Sequence, residues 1–449
     1  MNDETVRNEL KNVKGGADFL PAAMLNRNRI IGILKKHFER SGFLPLETTM
    51  LCRYDLLASK YAGGAEILKE VYRLNDQGGR ELGLRYDLTV PFCKVIAMNK
   101  NELNLPFKRY EIGKVFRDGP VKTGRMREFY QCDIDAVGIA GQEIEAEFFL
   151  MALEACAEIG LDVYIAYNNR KFLTGLITAC GFPIEMSSEI ILAVDKLEKI
   201  DAAEIKKEIM QAAEARKFKC GAKQLDGLFG ALKSDMAELT EKYSANELVK
   251  EGLSELNALG GILKALGLES RCRFVPSLAR GLDIYTGAVW EVFDSSGEFT
   301  SSLGGGGRYD KIITSFMDDG NVYPAVGMSF GLEPISAVLS AKKNVTTQII
   351  DLFLVPMGTH TECLKLAKEL RGRGVSVLVD YSKQKVKKSM AYADKEKIPF
   401  AAVVGSQEIE NNIIKLKNMA AAADSAENKE FQFDFNAYDK IAEFLKGKN

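Results

Sequence analysis

The pattern of apolar and polar positions is clearest between residues 107 and 137, where two extended segments flank a turn. Phe107 to Phe116 can run as one strand, and Arg127 to Val137 can run as a second. Turn-forming residues lie between them: Asp118, Gly119 and Pro120. On the second strand, the period of two places Gln131, Asp133 and Asp135 on one face. The sequence therefore predicts a hairpin with one polar face.

The tip of this hairpin concentrates positive charge. Its cations are Arg117, Lys122, Arg125 and Arg127. Four cations around one loop suit a polyanion, and the carboxylates and amide beside them suit an amino acid, so the hairpin could hold a triphosphate and an amino acid side by side. An ordinary surface hairpin with a solvated charged face fits the same pattern, because exposed charges are common.

A second polar pair stands where an extended segment gives way to a helix. Asp87 and Thr89 end the extended segment, and Val90-Pro91 begins a helical pattern, because proline suits the first helical turn. A carboxylate and a hydroxyl at such a junction can hold an ammonium group. The alternative is that Asp87 only caps the helix.

After the hairpin the pattern changes from helical to extended. Gln142 to Ile159 predicts an amphipathic helix that ends at Gly160. From Phe172 to Lys264 short helical pieces rich in Ala, Lys and Glu predict a helical insertion in the first domain. A strand pattern resumes at Cys272 to Val275, and a glycine run follows at Gly304 to Gly307. Such a run lets a backbone approach a ligand closely, although a flexible turn is the favoured interpretation.

An alternation of strands and helices begins at Ile349 and predicts a compact α/β module of roughly 100 residues. Its second helix, Gln384 to Lys397, carries lysines that could touch phosphates, although a solvated helix face is the commoner reason for such a run. The stretches Ala420 to Ala423 and Asp424 to Lys429 predict a mobile connection before a last helix, Tyr438 to Leu445.

Composition narrows the class of protein further. The chain has 449 residues, 46% of them hydrophobic, with a net charge of −2, which predicts two or three well-packed domains. The 8 cysteines show no paired spacing and only 2 histidines occur, so neither a disulfide framework nor a zinc site is indicated. No apolar run approaches the roughly 18 residues of a membrane span. We therefore expect a soluble, cytoplasmic protein.

Five blocks occur in a fixed order along the chain: LRYDLTVPF, FRDGPVKTGRMREFYQCDIDAVG, ARGLDIYTGAVWE, GGGGRYD and VGMSFGLE. In this order they resemble the histidyl-tRNA synthetases, a family of class II aminoacyl-tRNA synthetases, over about Gly15 to Met419. The resemblance implies an α+β fold with an antiparallel sheet flanked by helices, a helical insertion and a C-terminal α/β anticodon-binding domain.

The resemblance also implies domain boundaries and an assembly. The catalytic domain is expected in two parts, residues 1–170 with motifs 1 and 2, and residues 267–345 with the histidine-specific blocks and motif 3. Residues 171–266 are expected to form the helical insertion, and residues 346–449 the anticodon-binding-like domain. The family further implies a homodimer.

The implied activity is that of a histidine–tRNA ligase, which activates histidine with ATP to histidyl-adenylate and transfers it to the 3′ end of tRNA(His). Because attack on the α-phosphate builds negative charge there, fixed cations aimed at it lower the barrier. Arg117 matches the motif 2 arginine and Arg280 the family's special arginine, so both are implied to be catalytic. The implied ATP-binding residues are Arg117, Arg125, Asp118 and Glu333. Mg²⁺ would accompany the outer phosphates, and no protein side chain is assigned to it.

A second group of residues is implied to bind histidine. Asp87, Thr89 and Gln131 match the group that holds the α-ammonium end. Asp135 and Tyr285 match the pair that hydrogen-bonds the imidazole nitrogens. A buried polar pair that a wrong side chain leaves unsatisfied rejects that side chain by factors of about 10⁴. The other residues implied to line the histidine pocket are Arg280 and Tyr309.

Four positions depart from the family pattern. Pro334 stands where motif 3 normally has the arginine that stacks on adenine, and Arg308 is another cation that could compensate. Gly119 stands where motif 2 normally has an acid, which puts the contact to the adenine amino group in question. The remaining departures are Thr49 in motif 1 and Ile284 in the RGLD block.

These departures keep other functions open. A non-catalytic relative could act as the regulatory subunit of ATP phosphoribosyltransferase, although such subunits usually lack the anticodon domain. A tRNA-sensing module would keep both domains and do no chemistry. An unrelated ATP-dependent ligase is disfavoured by the order of the blocks.

Overall fold

The structure is a computed structural model that describes residues 10–59, 68–121, 125–197, 200–281, 284–342, 348–382, 384–420 and 429–447. The chain divides into two compact units. One unit comprises Met1–Asp18 and Arg27–Asn344, and the other comprises Phe19–Asn26 and Val345–Asn449. All of the site residues expected from the sequence belong to the first unit.

The strands before residue 342 are β1 (Leu44–Pro45), β2 (Leu51–Arg53), β3 (Arg73–Asn75), β4 (Glu81–Leu84), β5 (Phe107–Phe116), β6 (Glu128–Val137), β7 (Val163–Asn169), β8 (Cys272–Phe274), β9 (Ala288–Asp294), β10 (Gly304–Arg308) and β11 (Ala325–Gly331). The helices over the same range are α1 (Pro21–Arg40), α2 (Tyr54–Leu57), α3 (Thr89–Met98), α4 (Glu143–Ile159), α5 (Arg170–Ala179), α6 (Ser187–Val194), α7 (Ala202–Ala215), α8 (Ala222–Ala231), α9 (Met236–Tyr243), α10 (Glu247–Ala265), α11 (Asp310–Met317) and α12 (Leu332–Ala341).

The main sheet of the first unit is mostly antiparallel. Within the described residues it has eight strands in the order β1-β5-β6-β11-β10-β9-β7-β8. The six central strands pair antiparallel, whereas β1 and β8 pair parallel at the two edges. The β5–β6 pair is the hairpin that the sequence predicts. Because β6 is also paired with β11, its polar residues lie on an interior strand and not at the edge of the sheet.

One face of this sheet is buried under helix α4. Phe148 and Phe149 of α4 contact Trp290 of β9, with ring centroids 6.2 and 5.2 Å apart, and all three side chains are fully buried. Truncating such an aromatic side chain to alanine costs about 3–5 kcal/mol. Because successive strand residues point to opposite faces, the polar residues of β6 point away from this core.

Helices α5 to α10 occupy the region where the sequence predicts a helical texture. Asparagine or aspartate caps several of them: Asn169 accepts hydrogen bonds from two backbone N–H groups of α5, and Asn246 does the same for α10. Apolar side chains such as Phe172 and Leu253 are buried in the same cluster as the α4 core. The helical texture predicted for this region is therefore correct.

The second unit has its own mixed sheet. Its strands are β12 (Leu352–Pro356), β13 (Val377–Val379), β14 (Phe400–Val404), β15 (Ile413–Asn418) and β16 (Glu430–Asp434), and its helices are α13 (His360–Gly372), α14 (Val386–Lys395), α15 (Ser406–Glu410) and α16 (Tyr438–Lys446). The order is β13-β12-β14-β15-β16, with the first three strands parallel. The predicted alternation of strands and helices is correct.

Several expectations need correction. The glycine run is not a flexible turn, because Gly304–Arg308 is strand β10, paired in register with β9 and β11. Strand β16 and helix α15 were not predicted. The predicted mobile connection falls largely on residues 421–428, and Lys122 also lies outside the described residues.

Candidate active site

A cavity of about 420 Å³ lies over the polar face of the main sheet. It brings together residues from β6, β10, β11, the start of α3 and the segments before β9. Nine of the residues expected from the sequence line it: Asp87, Thr89, Arg117, Arg125, Gln131, Asp135, Arg280, Tyr285 and Tyr309. These residues come from points along the chain more than 200 positions apart, so folding creates the site.

Side chains on this face lie in rows that cross the strands. The first row contains Gly307 of β10, Gly327 of β11, Asp135 of β6 and Arg109 of β5, each opposite the next. Adjacent strands lie about 4.7–4.9 Å apart, so neighbours in a row can touch one bound group. The first row therefore presents one carboxylate between two glycines and an arginine.

The glycines of the first row leave room for side chains that lie flat on the sheet. A Cβ atom at Gly307 would lie 2.6 Å from Cδ1 of Tyr285, and one at Gly327 would lie 2.1 Å from Oδ1 of Asp135. Because Gly307 and Gly327 are paired, Tyr285 and Asp135 occupy adjacent places on the sheet. This arrangement explains the glycines better than backbone flexibility does.

The Tyr309 side chain contacts the first row at Asp135. Its hydroxyl donates a hydrogen bond to Oδ1 of Asp135, and both side chains are buried. Burial raises the pKa of Tyr309 well above its usual value, so the phenol remains a donor. Burial also raises the pKa of Asp135, while the Arg109 guanidinium opposes that shift.

Arg280 lies over a second row of residues that crosses the strands. This row runs from Glu291 of β9 through Gly305 and Ser329 to Asp133. Nη1 of Arg280 lies 2.9 Å from Oε1 of Glu291, and a Cβ atom at Gly305 would lie 2.3 Å from the same nitrogen. Arg280 therefore crosses the sheet over a glycine, with its charge directed into the cavity by a carboxylate partner.

Asp133 is a buried carboxyl group within the same row. Burial and the neighbouring Asp135 raise the pKa of Asp133 to about 8. Its neighbour Gln131 donates to Ser329 Oγ at 2.9 Å. The Asp133 carboxyl therefore holds its proton more strongly than an exposed carboxyl does, because it shares this buried face with Asp135.

Arg117 and Arg125 bring further positive charge to the cavity. Nε of Arg117 donates to the Tyr86 carbonyl at 3.0 Å, and its guanidinium lies over the ring of Phe129 at 5.2 Å. Burial lowers the pKa of Arg117, while Asp87 acts in the opposite direction. Nη2 of Arg125 contacts both carboxylate oxygens of Glu70, at 2.7 and 3.0 Å.

Asp87 lies both at a helix start and at the cavity. Its Oδ1 accepts the Val90 N–H at 3.1 Å, as a residue near a helix start does, and the residue also lines the cavity. Burial raises the pKa of Asp87 to about 6. Above that pH the group is an anion beside Thr89, which suits an ammonium ligand.

Two expected ATP contacts lie away from the main cavity. Asp118 lines neither this cavity nor its neighbour, and its Oδ1 lies 3.2 Å from Nη2 of Arg127. Glu333 lines an adjoining cavity of about 480 Å³ together with Phe129 and Pro334, and its Oε1 lies 2.8 Å from Nη2 of Arg27. Arg127 and Arg27 therefore hold these two carboxylates.

The compensating cation considered for Pro334 is also unavailable. Arg308 is buried, and its guanidinium contacts both carboxylate oxygens of Glu145, at 2.8 and 2.9 Å. The adjoining cavity thus contains Pro334 without a compensating contribution from Arg308.

Sequence reasoning missed several residues that line the two cavities: Glu70, Phe129, Asp195 and Glu291. Phe129 and Glu291 stand inside blocks that carry the resemblance, so the signal was present. Glu70 and Asp195 lie outside those blocks, and only the fold brings them to the cavity.

Comparison with known proteins places this geometry in a family. The histidyl-tRNA synthetase family matches residues 15–335, and an anticodon binding domain matches residues 351–438. The chain belongs to the histidyl-tRNA synthetase family. The resemblance inferred from the sequence blocks is thus confirmed, as is the expected enzyme class of aminoacyl-tRNA synthetase.

Individual histidyl-tRNA synthetases extend the match along most of the chain. The chain is 45% identical over 412 residues to histidine–tRNA ligase 1 of Bacillus cereus, which covers 92% of this chain and 96% of that protein. The solved histidyl-tRNA synthetase of Nostoc sp. PCC 7120 has a TM-score of 0.83 at 26% identity, covering 98% of this chain and 99% of that chain. The predicted α+β synthetase fold is therefore confirmed.

A further solved structure shows how widely this fold is used. It is described as an ATP phosphoribosyltransferase regulatory subunit/histidyl-tRNA synthetase from Bacillus halodurans C. Its TM-score is 0.71 at 18% identity, covering 88% of this chain and 98% of that chain, which shows a shared fold alone.

Within the residues that the structure describes, no helix has both the length and the apolar character that crossing a bilayer requires.

Proposed function

We propose that this protein is a histidine–tRNA ligase, which forms histidyl-adenylate from histidine and ATP and then transfers histidine to tRNA(His). One observation carries the proposal. Arg117, Arg125 and Arg280 line one cavity, beside the adjacent pair Asp135 and Tyr285. Three cations suit a reacting triphosphate, and an acceptor with a phenol suits the two nitrogens of an imidazole.

The arginines supply the electrostatics of activation. A carboxylate oxygen of histidine attacks the α-phosphorus, a new O–P bond forms, and the bond to the bridging oxygen breaks as pyrophosphate leaves. Charge grows on the α-phosphate oxygens, where Arg117 and Arg280 stabilise it, and Arg125 meets the outer phosphates. Cations fixed in advance act without reorganisation, and removing one such contact costs about 10²–10³ in rate.

The other expected residues hold the amino acid. Asp87, Thr89 and Gln131 bind the α-ammonium end, with the Asp87 carboxylate supplying the charge. Asp135 and Tyr285 bind the imidazole ring, and Tyr309 fixes Asp135. Asp118 and Glu333 stay candidate ATP contacts that would require other partners to release them.

Magnesium is proposed to arrive as part of the MgATP substrate. Among the described residues, no cluster of three His, Cys, Asp or Glu side chains is able to hold a metal ion. Glu70 and Glu291 are carboxylates at the cavity, and each is paired with an arginine. The phosphates would supply most of the ligands, since Mg²⁺ needs only one or two carboxylates in such sites.

The second unit and the assembly complete the proposal. The match of residues 351–438 to an anticodon binding domain supports recognition of tRNA(His) by the second unit. We also propose a homodimer, a cytoplasmic location and the division into residues 1–170, 171–266, 267–345 and 346–449. These remain predictions from the family resemblance.

Histidine-dependent exchange between pyrophosphate and ATP tests the activity. We expect exchange with histidine and none with other amino acids, followed by charging of tRNA(His). The variant Asp135→Asn should lose exchange, while Arg273→Ala, on the edge strand β8, should retain it.

A competing function would give a different result. The observation that favours a non-catalytic paralogue as the competing function is the missing motif 3 arginine, in whose place the chain has Pro334. Purified protein that shows no exchange, yet binds a phosphoribosyltransferase or tRNA, would support that function and contradict ours.

A further inference from the structure

Arg109 is the most deeply buried charged residue beside the cavity. It stands on β5 directly opposite Asp135, and its side chain has no solvent exposure. Nη2 lies 2.7 Å from Oδ2 of Asp135 and donates to the Leu88 carbonyl at 3.0 Å. The guanidinium also lies over the ring of Phe92, 4.4 Å from its centroid. Arg109 itself does not line the cavity.

The contact between Arg109 and Asp135 is an ion pair without the alignment of a hydrogen bond. Within the described residues, Oδ2 of Asp135 accepts no hydrogen bond, whereas Oδ1 accepts the Tyr309 hydroxyl. An unsatisfied buried carboxylate oxygen is costly unless a ligand donor meets it. Oδ2 is therefore held by the Arg109 charge, with no aligned hydrogen-bond donor, on a residue that lines the cavity.

The neighbours of Asp135 explain why a buried cation is needed. The charged and titratable groups that face it are Arg109, Glu111, Asp133, Tyr309, Asp87 and Cys93. Among these groups Arg109 alone carries positive charge. Without it, burial and the surrounding acids would favour the protonated carboxyl, which donates where it should accept.

We propose that Arg109 is a positioning residue for histidine, acting through Asp135: it keeps this carboxylate ionised and holds it in place as the acceptor for the imidazole N–H. The inference rests on the proposed function only for the identity of the ligand. It assigns a role to a residue outside the cavity wall and predicts that the fit to imidazole depends on a charge one strand away.

The test compares two buried arginines of the main sheet. Arg109→Met removes the proposed effect. Arg308→Met is the matched control, because Arg308 is also buried and its Nε lies 2.8 Å from Oε1 of Glu145, yet it neither contacts Asp135 nor lines the cavity. Binding of histidine alone is measured by calorimetry between about pH 6 and about pH 9, and ATP KM by exchange.

For Arg109→Met we expect histidine binding at neutral pH to weaken by at least about tenfold, with recovery toward wild type as the pH rises. The sign follows from Asp135: losing the cation raises its pKa, so higher pH is needed to ionise it. Because free histidine also titrates, the ratio of variant to wild-type affinity at each pH is the readout. ATP KM should stay within about twofold, and Arg308→Met should show no new pH dependence.

Equal losses in both variants, or a loss in Arg109→Met that is the same at every pH, would overturn the proposal. If Arg109→Met fails to fold, Arg109→Lys decides. It keeps the charge and should bind histidine with the wild-type pH profile, whereas binding as weak as that of Asp135→Asn at every pH would contradict us. Because histidine binding is measured without ATP, failure of exchange in the wild type is a separate outcome.

Discussion

The two ends of the cavity are built in different ways. The proposed histidine end is formed by Asp135, Tyr285 and Tyr309. Asp135 lies on an interior strand, and it is buried and hydrogen-bonded to the buried Tyr309. The phosphate end, formed by Arg117, Arg125 and the adjoining cavity, is more open. The Arg125 side chain is 48% exposed and is paired with Glu70.

The two ends therefore recognise their ligands differently: the histidine end by fixed hydrogen-bonding groups, and the phosphate end by positive charge. Imidazole is a small ring that only a fixed acceptor and donor can distinguish, so the histidine end is organised before the ligand arrives. A triphosphate is large and highly charged, and arginines can exchange a protein carboxylate for a phosphate when it binds. Changes at the two ends should therefore affect different kinetic constants.

The largest effect is expected at Arg280, which lies between the two ends. Arg280→Ala should lower the rate of histidine activation by about 10²–10³ while weakening histidine binding by less than about tenfold, because its charge acts mainly in the transition state. Pre-steady-state formation of adenylate and equilibrium histidine binding separate the two. Comparable losses in both would contradict this role, and Arg273→Ala is the control.

A pure packing change should damage the histidine end next. Gly327→Ala would place a Cβ atom 2.1 Å from Oδ1 of Asp135, so the carboxylate must move. We expect histidine binding to weaken by about 10²-fold with ATP KM within about threefold. Gly230→Ala, where the added Cβ atom meets nothing within 4 Å, is the matched control. Wild-type histidine binding in Gly327→Ala would refute the sheet-row geometry.

Lowering the pH should also weaken the binding of histidine. The pKa of Asp87 is raised to about 6, so lowering the pH through this value protonates the group that we propose holds the α-ammonium. Histidine KM should rise by up to about tenfold per pH unit below about pH 6, with a smaller change in ATP KM. Asp87→Asn shares the titration of free histidine but lacks this group, so it should show a flatter profile. Identical profiles would exclude Asp87 as the cause.

Placing an arginine at position 334, beside the phosphate end, should modestly strengthen ATP binding. Pro334 stands in the first turn of α12 and lines the adjoining cavity. Pro334→Arg should lower ATP KM by about threefold to tenfold through stacking on adenine and leave histidine KM within about twofold. Pro334→Ala controls for loss of the ring. An unchanged ATP KM in the arginine variant would show that adenine is held elsewhere.

The smallest effect is expected at Glu70, which competes with phosphate for Arg125. Glu70→Gln removes the charge of an exposed ion pair, a contact with a free energy of about 0–1 kcal/mol. ATP KM should fall by up to about threefold and lose part of its salt dependence. Glu81→Gln on β4 is the control. A rise in ATP KM would mean that Glu70 positions Arg125 instead.

Local patterns predicted the parts of the fold that depend on neighbouring residues in sequence. The β5–β6 hairpin and the face shared by Gln131, Asp133 and Asp135 follow from the period of two. Strand β10 could not be predicted this way, because glycine disfavours strands and its extended form is imposed by β9 and β11. For β16 the signal existed, since Phe431 and Phe433 alternate, but the sequence analysis assigned no element to these residues.

The candidate site shows the same division. Nine residues inside the family blocks were anticipated and meet at one cavity, whereas Phe129 and Glu291 lie in the same blocks and were missed. Arg109 and Glu70 were not anticipated, because each acts through a partner far away in sequence: Asp135 across a strand pair, and Arg125 at an intervening distance of 55 residues. The roles of Arg109 and Glu70 depend on which strands pair and which side chains form ion pairs. A local sequence pattern predicts neither.

The most direct test of the account is a crystal structure with a non-hydrolysable analogue of histidyl-adenylate. We predict that the imidazole lies between Asp135 and Tyr285, with one ring nitrogen donating to Oδ2 of Asp135, and that the phosphate-like group lies between Arg117 and Arg280. An imidazole bound away from the first row, or a phosphate-like group that contacts neither arginine, would contradict it.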